Sequence, residues 1–381
     1  MNAPFPAIDA AAAQRPLRRV MAWGTADRDK PRNRILLDAL RDADFELQEV
    51  HADVWAGVAD KSRLGRAARL ARYLRLVLVY PKLLIQFLLA PRPDALVVGY
   101  PAQLDVSMLW PAAKLRRVPI LMDLFISIYD TTVHDRALTR PGSLKARLLW
   151  GMEWLACRAA DRVIIDTAAH ARYVEELFDL PAGSVGHVAV GAEIAKFERL
   201  PRRAKAGRPR LLFYGQLIPL HGIETILAAA CSDRGQAFDW TIIGDGQDAS
   251  KVAAALGPSG PRHVHWIKWV PYAELPHWIA QSDICLGIFG TSRKAASVVP
   301  NKVFQCLASG RHVVTRASLA LAELPADAGL TMVEPGSPDR LLDGIEAALA
   351  AGCPEPSSHL VNHFSADRLG SQMIRYLEGL Q

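Results

Sequence analysis

Residues 210–230 read RLLFYGQLIPLHGIETILAAA. Arg210–Tyr214 is a short, nearly continuous apolar run closed by Gly215, the pattern of a strand covered on both faces. Gly222 follows seven residues later, and Ile223–Ala230 then carries the apolar content of a short helix. Strand, glycine loop and helix in that order form the repeating unit of a parallel α/β layer. Toward the C-terminus the unit recurs: Trp240–Ile243, His263–Ile267, Asp283–Phe289 and His312–Thr315 read as strands, with helices over Lys251–Leu256, Glu274–Gln281 and Lys302–Ser309.

Toward the N-terminus the texture changes at Glu198–Pro209 (ERLPRRAKAGRP), rich in Pro, Gly and basic residues with little to bury. Such a stretch reads as a linker. Before it the alternation appears again, with strands at Arg19–Trp23, Leu47–Val50, Ala95–Gly99, Ile120–Asp123, Arg162–Asp166 and Val185–Gly191 and a helix starting near Ile35. The expectation is an α/β chain of two Rossmann-like, doubly wound parallel-sheet domains, residues 17–198 and 210–358, joined by a linker at 199–209. Residues 1–16 read as a disordered tail, and 359–381 as a closing helix that packs back on the first domain. Ligands of doubly wound sheets bind beyond the carboxyl ends of the strands, so the loops there carry the function.

The composition agrees. The chain has 381 residues, 50% of them hydrophobic and 22% charged, a globular balance that excludes disordered and fibrous classes. At about 100–200 residues per domain, two domains are expected. No run approaches the ~20 apolar residues that span a bilayer, and the N-terminus lacks a basic start followed by an apolar core, so neither an integral membrane protein nor a secretory signal is read. Five widely spaced cysteines without a C-x-x-C imply buried free thiols rather than a disulfide framework or zinc site. A net charge of +6 points to an anionic partner.

Three glycine-bearing loops are candidates to hold a phosphate: Gly24 after the first strand, Gly215 with Gln216 after the strand at 210–214, and Gly244 in IGDGQ. A glycine there lets backbone N–H groups approach an anion, although a tight turn uses glycine equally well. The stretch Pro300–Gly310 (PNKVFQCLASG) is more specific. Proline at the start and glycine at the stop delimit a short helix. Its N-terminus suits a diphosphate, with Lys302 adding charge.

In this order, the motifs resemble the GT-B glycosyltransferases of group 1, family 4, which are retaining and use nucleotide sugars. The resemblance is good over Arg210–Thr315 (FYGQLIPLHG, WTIIGDGQD, ELPHWIAQSDICLGIF and PNKVFQCLASGRHVVT), moderate over Arg158–Phe197, and only in outline before that. It implies a GT-B fold with a donor domain at the C-terminus. It implies a nucleoside diphosphate sugar held by Gly24, Gly215, Gln216, His221, Gly244, Lys268, Ser297, Pro300, Asn301, Lys302, Val303 and Gln305, and no cofactor or metal. Four of these depart from the family. Its two glutamates, eight residues apart, read Ser297 and Gln305 here, and its diphosphate-gripping Arg and Lys read Gln216 and His221. Phosphate charge is then expected from Lys302, Arg293, Lys294 or Lys268.

In the first half, DLFISIYDTTVHDR begins at a strand end with Asp123 and includes Asp130 and His134. One of these would orient or deprotonate an acceptor hydroxyl, while helix capping is an equally good use of an aspartate. Lys61–Arg92 contains eight basic residues and no acid. On a helix, Leu64, Ala67, Ala68, Ala71, Leu74 and Leu78 share a face; Arg66 and Arg69 lie opposite, and Arg63 and Arg72 flank it. This pattern suits an anionic membrane surface. A nucleic-acid partner is not read, because the basic residues have no interleaved aromatics.

The expected protein is therefore a cytoplasmic glycosyltransferase, peripheral on the inner face of the membrane. It would pass a sugar to a lipid-linked glycan in bacterial surface polysaccharide synthesis. A nucleotide-sugar epimerase and a non-catalytic sugar-nucleotide-binding protein of the same fold are the alternatives.

Overall fold

A computed structural model describes residues 17–57, 65–197, 207–258, 260–325, 328–352 and 365–380, with the backbone only at 66 and 69. The tail at 1–16, Arg63, the side chains of Arg66 and Arg69, Cys353, and most of the linker lie outside the described residues. The chain forms two units, one of residues 1–133, 138–189 and 366–381, the other of residues 134–137 and 190–365. The passage between them falls at Ala189–Val190, ahead of the basic linker stretch.

The first unit carries a six-stranded sheet of β1 (Arg19–Gly24), β2 (Glu46–His51), β3 (Ala95–Val98), β4 (Ile120–Asp123), β5 (Arg162–Ile165) and β6 (Val185–His187) in the order β2-β1-β3-β4-β5-β6. All pairs are parallel. Strands β3, β4 and β5 are buried along their whole length, which is why their sequences show no alternation. One face is covered by α2 (Arg66–Leu89), α3 (Ala102–Arg116), α5 (Leu144–Ala159) and α6 (Ala168–Leu177), whose apolar residues join one core cluster. The short turn α4 (Ile128–Asp130) leads into a π-turn at Thr131–Asp135. The other face is covered by α1 (Pro31–Arg41) and by the last helix of the chain, Ala366–Glu378, through Ile35, Leu36 and Leu40 against Leu369, Met373 and Leu377.

The second unit carries β7 (Arg210–Tyr214), β8 (Asp239–Ile243), β9 (Val264–Ile267), β10 (Ile284–Leu286), β11 (His312–Arg316) and β12 (Leu330–Val333) in the order β12-β11-β10-β7-β8-β9, again all parallel. Helices α7 (Ile223–Ala230), α8 (Ala249–Leu256), α9 (Leu275–Ala280), α10 (Arg293–Ser297), α11 (Asn301–Ala308) and α12 (Pro338–Ala351) complete it, and the helix at Ala366–Glu378 becomes α13. Both sheets are doubly wound. Their orders reverse between β1 and β3 in the first unit and between β7 and β10 in the second, and a ligand site is expected outside the carboxyl ends at each reversal.

Some elements differ from the sequence reading. β12 was not expected: LTMV is four residues long and only Val333 is buried, so it lacks a periodic signal. The strand read at Asp283–Phe289 is three residues long, Ile284–Leu286, and Gly287 follows it packed against Thr315. Its Cβ position would lie 2.3 Å from Thr315 Oγ1. Helix α2 runs through Pro81. Of the apolar face read from the sequence, Ala67, Ala68, Ala71, Leu74 and Leu78 are exposed, while Leu76, Tyr80, Leu83 and Phe87 pack inward. Cys157, Cys285 and Cys306 are buried free thiols, but Cys231 is exposed, since it caps the end of α7.

Candidate active site

At the reversal in the second sheet, three strands end in glycines: β7 at Gly215, β8 at Gly244 and β10 at Gly287. The turns after β7 and β8 pack on each other. A Cβ on Gly244 would lie 2.0 Å from the Gly215 carbonyl oxygen, and one on Gly246 would lie 2.4 Å from that of Leu217. The loop Gly215–Gly222 then returns toward β10, where a Cβ on Gly222 would sit 2.4 Å from the Phe289 carbonyl carbon. Gly222 has φ +62°, a conformation that costs other residues about 1–2 kcal/mol. With the clash added, Gly222→Ala is expected to lower the stability of this unit by at least about 2 kcal/mol, read as a fall in its melting transition.

Helix α11 brings Lys302 into this loop. Lys302 is 5% exposed. Its Nζ donates to the Gly287 carbonyl at 3.3 Å and lies 3.9 Å from the centroid of the Phe213 ring. A Cβ on Gly215 would lie 3.2 Å from that Nζ and 2.9 Å from His221 Cε1, so glycine at 215 leaves the space beside both groups open. Burial lowers the Lys302 pKa to about 7. Burial, then the Lys302 charge beside it, holds His221 well below the ordinary histidine range. His221 is thus a neutral imidazole at neutral pH and not the partly charged group expected from sequence. Its Nδ1 is buried without a hydrogen-bond partner.

Gln305, on the next turn of α11, is 3% exposed. Its side-chain oxygen accepts from the Tyr214 hydroxyl at 2.8 Å and its amide donates to the Tyr272 hydroxyl at 3.1 Å. Tyr272 in turn donates to Glu193 at 2.9 Å. The hydrogen bonds fix which end of the amide faces which tyrosine. Ser297 Oγ donates to the Arg293 carbonyl at 3.0 Å within α10, and Val303 is fully buried in the core. Pro300, with φ −72° and extended ψ, is the N-cap residue of α11 and is half-buried, as is Asn301.

Gly215, Gln216, His221, Gly244, Lys302 and Gln305 therefore belong to one neighbourhood. Lys302 lies beside the glycine loop at Gly215 and His221. Lys268 follows the edge strand β9, exposed, with Nζ 5.6 Å from the Trp266 ring. Arg293 is exposed and Lys294 is buried in α10. Sequence reading missed Tyr214, Tyr272 and Glu193, because a hydroxyl or carboxylate at the end of a strand or in a turn has no spacing that marks it.

In the first unit, Gly24 has φ +120°, and a Cβ there would lie 2.2 Å from Asp105 Oδ2. That carboxylate is fully buried and accepts from Thr25 N–H at 2.5 Å, Thr25 Oγ1 at 3.0 Å (to Oδ1) and Tyr80 at 2.7 Å, and burial raises its pKa to about 6. Asp123 ends β4. Its carboxylate is held by Arg32 through Nε at 2.8 Å and Nη2 at 2.9 Å, and the two side chains are 2% and 0% exposed. This pairing keeps both charges out of water. Asp130 is likewise buried and accepts from the Tyr173 hydroxyl at 2.5 Å, whereas His134 is exposed in the π-turn. Arg72 donates to the carbonyls of Val54 and Ala56, so its charge serves the loop after β2. Among the described residues, no three of His, Cys, Asp and Glu are grouped as metal ligands, and no helix is long and apolar enough to cross a membrane.

Comparison with known proteins agrees with this architecture. Residues 208–351 match the family model of glycosyl transferases group 1, and residues 13–191 match that of the glycosyl transferase 4-like domain. No curated protein sequence matches significantly. Among solved structures, Anabaena Alr3699/HepE in complex with UDP-glucose superposes with a TM-score of 0.64 at 13% identity, covering 94% of this chain and 99% of that one. The catalytic domain of starch synthase IV from Arabidopsis thaliana, bound to ADP and acarbose, gives 0.66 at 9% identity over 96% and 98%. A trehalose-6-phosphate protein from E. coli with UDP-2-fluoro glucose gives 0.61 at 12% identity over 94% and 99%.

Proposed function

We propose, for a chain that is a GT-B glycosyltransferase of the group 1 and 4-like type, that it transfers a hexose from a nucleoside diphosphate sugar to a hydroxyl of a lipid-linked glycan. The observation that carries the donor assignment is the Lys302 ammonium, buried beside Gly215 with one carbonyl at 3.3 Å as its hydrogen-bond partner. A diphosphate entering the Gly215–Gly222 loop would supply the counter-charge that burial withholds. The backbone N–H groups at the start of α11 would share that charge, so the leaving diphosphate is stabilised as the glycosidic bond breaks. Nucleotide and nucleotide-sugar complexes of the structural relatives support the same donor class. Neutral His221 then acts as a hydrogen-bonding wall of the loop, and Gln305, oriented by two tyrosines, faces the nucleoside side. Retention of anomeric configuration follows from the family. The test is transfer from a panel of UDP-, GDP- and ADP-hexoses to lipid extracts; binding of every donor with no transfer to any acceptor would favour a sugar-nucleotide-binding role.

The acceptor side rests on α2. Leu70, Leu74, Val77, Leu78, Ile85 and Leu88 form one exposed stripe along it, between 46% and 77% exposed, while the opposite stripe is buried. A helix apolar on both sides needs a second apolar surface. Arg75 and Lys82 are exposed beside the outer stripe, which suits an anionic bilayer at the inner leaflet of the membrane. The triple variant Leu74→Asp, Val77→Asp, Leu78→Asp is expected to lose sedimentation with phosphatidylglycerol vesicles while keeping nucleotide binding. Undiminished sedimentation would remove the membrane assignment.

A further inference from the structure

Residues 134–137 belong to the second unit although the chain on both sides of them belongs to the first. They include the end of the DLFISIYDTTVHDR stretch, Arg136, which is 8% exposed. Two contacts hold it on the glycine turns of the donor half. Its Nη2 donates to the Gln216 side-chain oxygen at 3.3 Å, and its carbonyl accepts from the Gln247 amide at 3.0 Å. Gln216 follows the glycine after β7 and Gln247 lies in the turn after β8, so Arg136 spans the two turns whose backbones touch at Gly215 and Gly244. Its charge also reaches the adjacent imidazole, where it adds to the effects that keep His221 neutral.

A nucleoside diphosphate brings about two or more negative charges into this loop. The loop itself meets them with a single amine, Lys302, because His221 is neutral and Gln216 is uncharged. A guanidinium keeps its charge at any working pH and offers several N–H donors in a fixed fork that matches phosphate oxygens. We infer that Arg136 is a second diphosphate-binding residue of this glycosyltransferase, aimed by Gln216 from a segment that the sequence order assigns to the acceptor half. The inference rests on the donor-site reading above and adds to it a residue that no motif marks. It also gives Gln216 a role: a neutral side chain at that position holds the guanidinium by its carbonyl oxygen, where a cation would repel it.

The experiment compares UDP, GDP and ADP, each with its own nucleoside, by calorimetric titration of the full chain. Arg136→Ala is expected to weaken the diphosphate that binds by about 10-fold or more, the loss of a charged hydrogen bond. Nucleoside affinity should not change, and Arg136→Lys, which keeps the charge without the fork, should restore only part of the loss. The dependence of diphosphate affinity on salt should also become shallower in Arg136→Ala, which a purely structural role would not produce. Arg136→Gln keeps a donor to Gln216 without the charge and carries the same test if the alanine variant does not fold. Equal loss for nucleoside and diphosphate, or no loss while Lys302→Ala weakens binding, overturns the role of Arg136 and leaves the donor site in place. No loss in either variant overturns the donor-site reading as well.

Discussion

Lys302→Met is expected to make the ligand-free protein more stable and the donor complex far weaker. The ammonium is buried against Phe213 with one carbonyl in hydrogen-bond reach, and burial brings its pKa from 10.5 to about 7. Keeping a charge there costs free energy that an apolar side chain of similar length avoids. After allowance for the lost contact with Phe213, the gain is on the order of 2 kcal/mol. That corresponds to about 4–8 °C in melting temperature for a unit of this size. The sign of the pH dependence follows from proton linkage. Between about pH 7 and 10.5 the unfolded chain holds a proton at Lys302 that the folded chain has released, so the wild type gains stability as pH rises through that window. The advantage of Lys302→Met is therefore largest below pH 7 and shrinks above it. Donor binding moves the other way. A diphosphate beside Nζ favours the charged amine, so affinity falls as pH rises above about 7, and the methionine variant binds about 30- to 100-fold more weakly at pH 7. Thermal unfolding from pH 6 to 9, with and without nucleotide, reads both effects. A variant that is less stable than wild type and binds nucleotide normally would show that Lys302 is a packing residue.

Asp123→Ala is expected to behave as a folding defect. Arg32 and Asp123 are both removed from water, and the guanidinium also donates to the carbonyls of Val188 at 2.6 Å, Ala189 at 3.2 Å and Ile165 at 3.2 Å. It thereby joins the start of α1, the ends of β4 and β5, and the segment after β6. Removing the carboxylate leaves that charge buried without its partner, which costs about 3–5 kcal/mol and lowers the melting temperature by about 10 °C. Replacing both partners, Arg32→Met with Asp123→Leu, should recover most of the loss, because no charge is then left in the core. A catalytic role predicts the opposite pattern: normal melting, lost turnover and no rescue by the double variant. The comparison separates the two uses of a strand-end aspartate that sequence reading left open.

Much of the fold was legible because parallel strands buried on both faces declare themselves as short apolar runs. Arg19–Trp23, Ile120–Asp123 and Arg210–Tyr214 read correctly for that reason, and the Pro300 and Gly310 punctuation located α11 within a residue or two. β12 went unread because it is short and mostly unburied. In α2 the apolar content was recognised and its inner face was not: with apolar residues on all sides, periodicity has no preferred direction, and only the docking of Leu76, Tyr80, Leu83 and Phe87 against the sheet chooses one.

The glycosyltransferase class was read from the resemblance that the ordered motifs bear to group 1 enzymes, while the glycines at strand ends and the proline-led helix are local requirements of close backbone packing. Which charges are spent and which remain was not contained there. Lys302 and Asp123 look equally available in the sequence. Burial gives one an arginine and the other a single carbonyl. Arg136 stands 80 residues before Gln216 and meets it only once the chain is folded. Local sequence sets backbone geometry, whereas the desolvation and pairing of charges depend on neighbours that tertiary packing alone brings together.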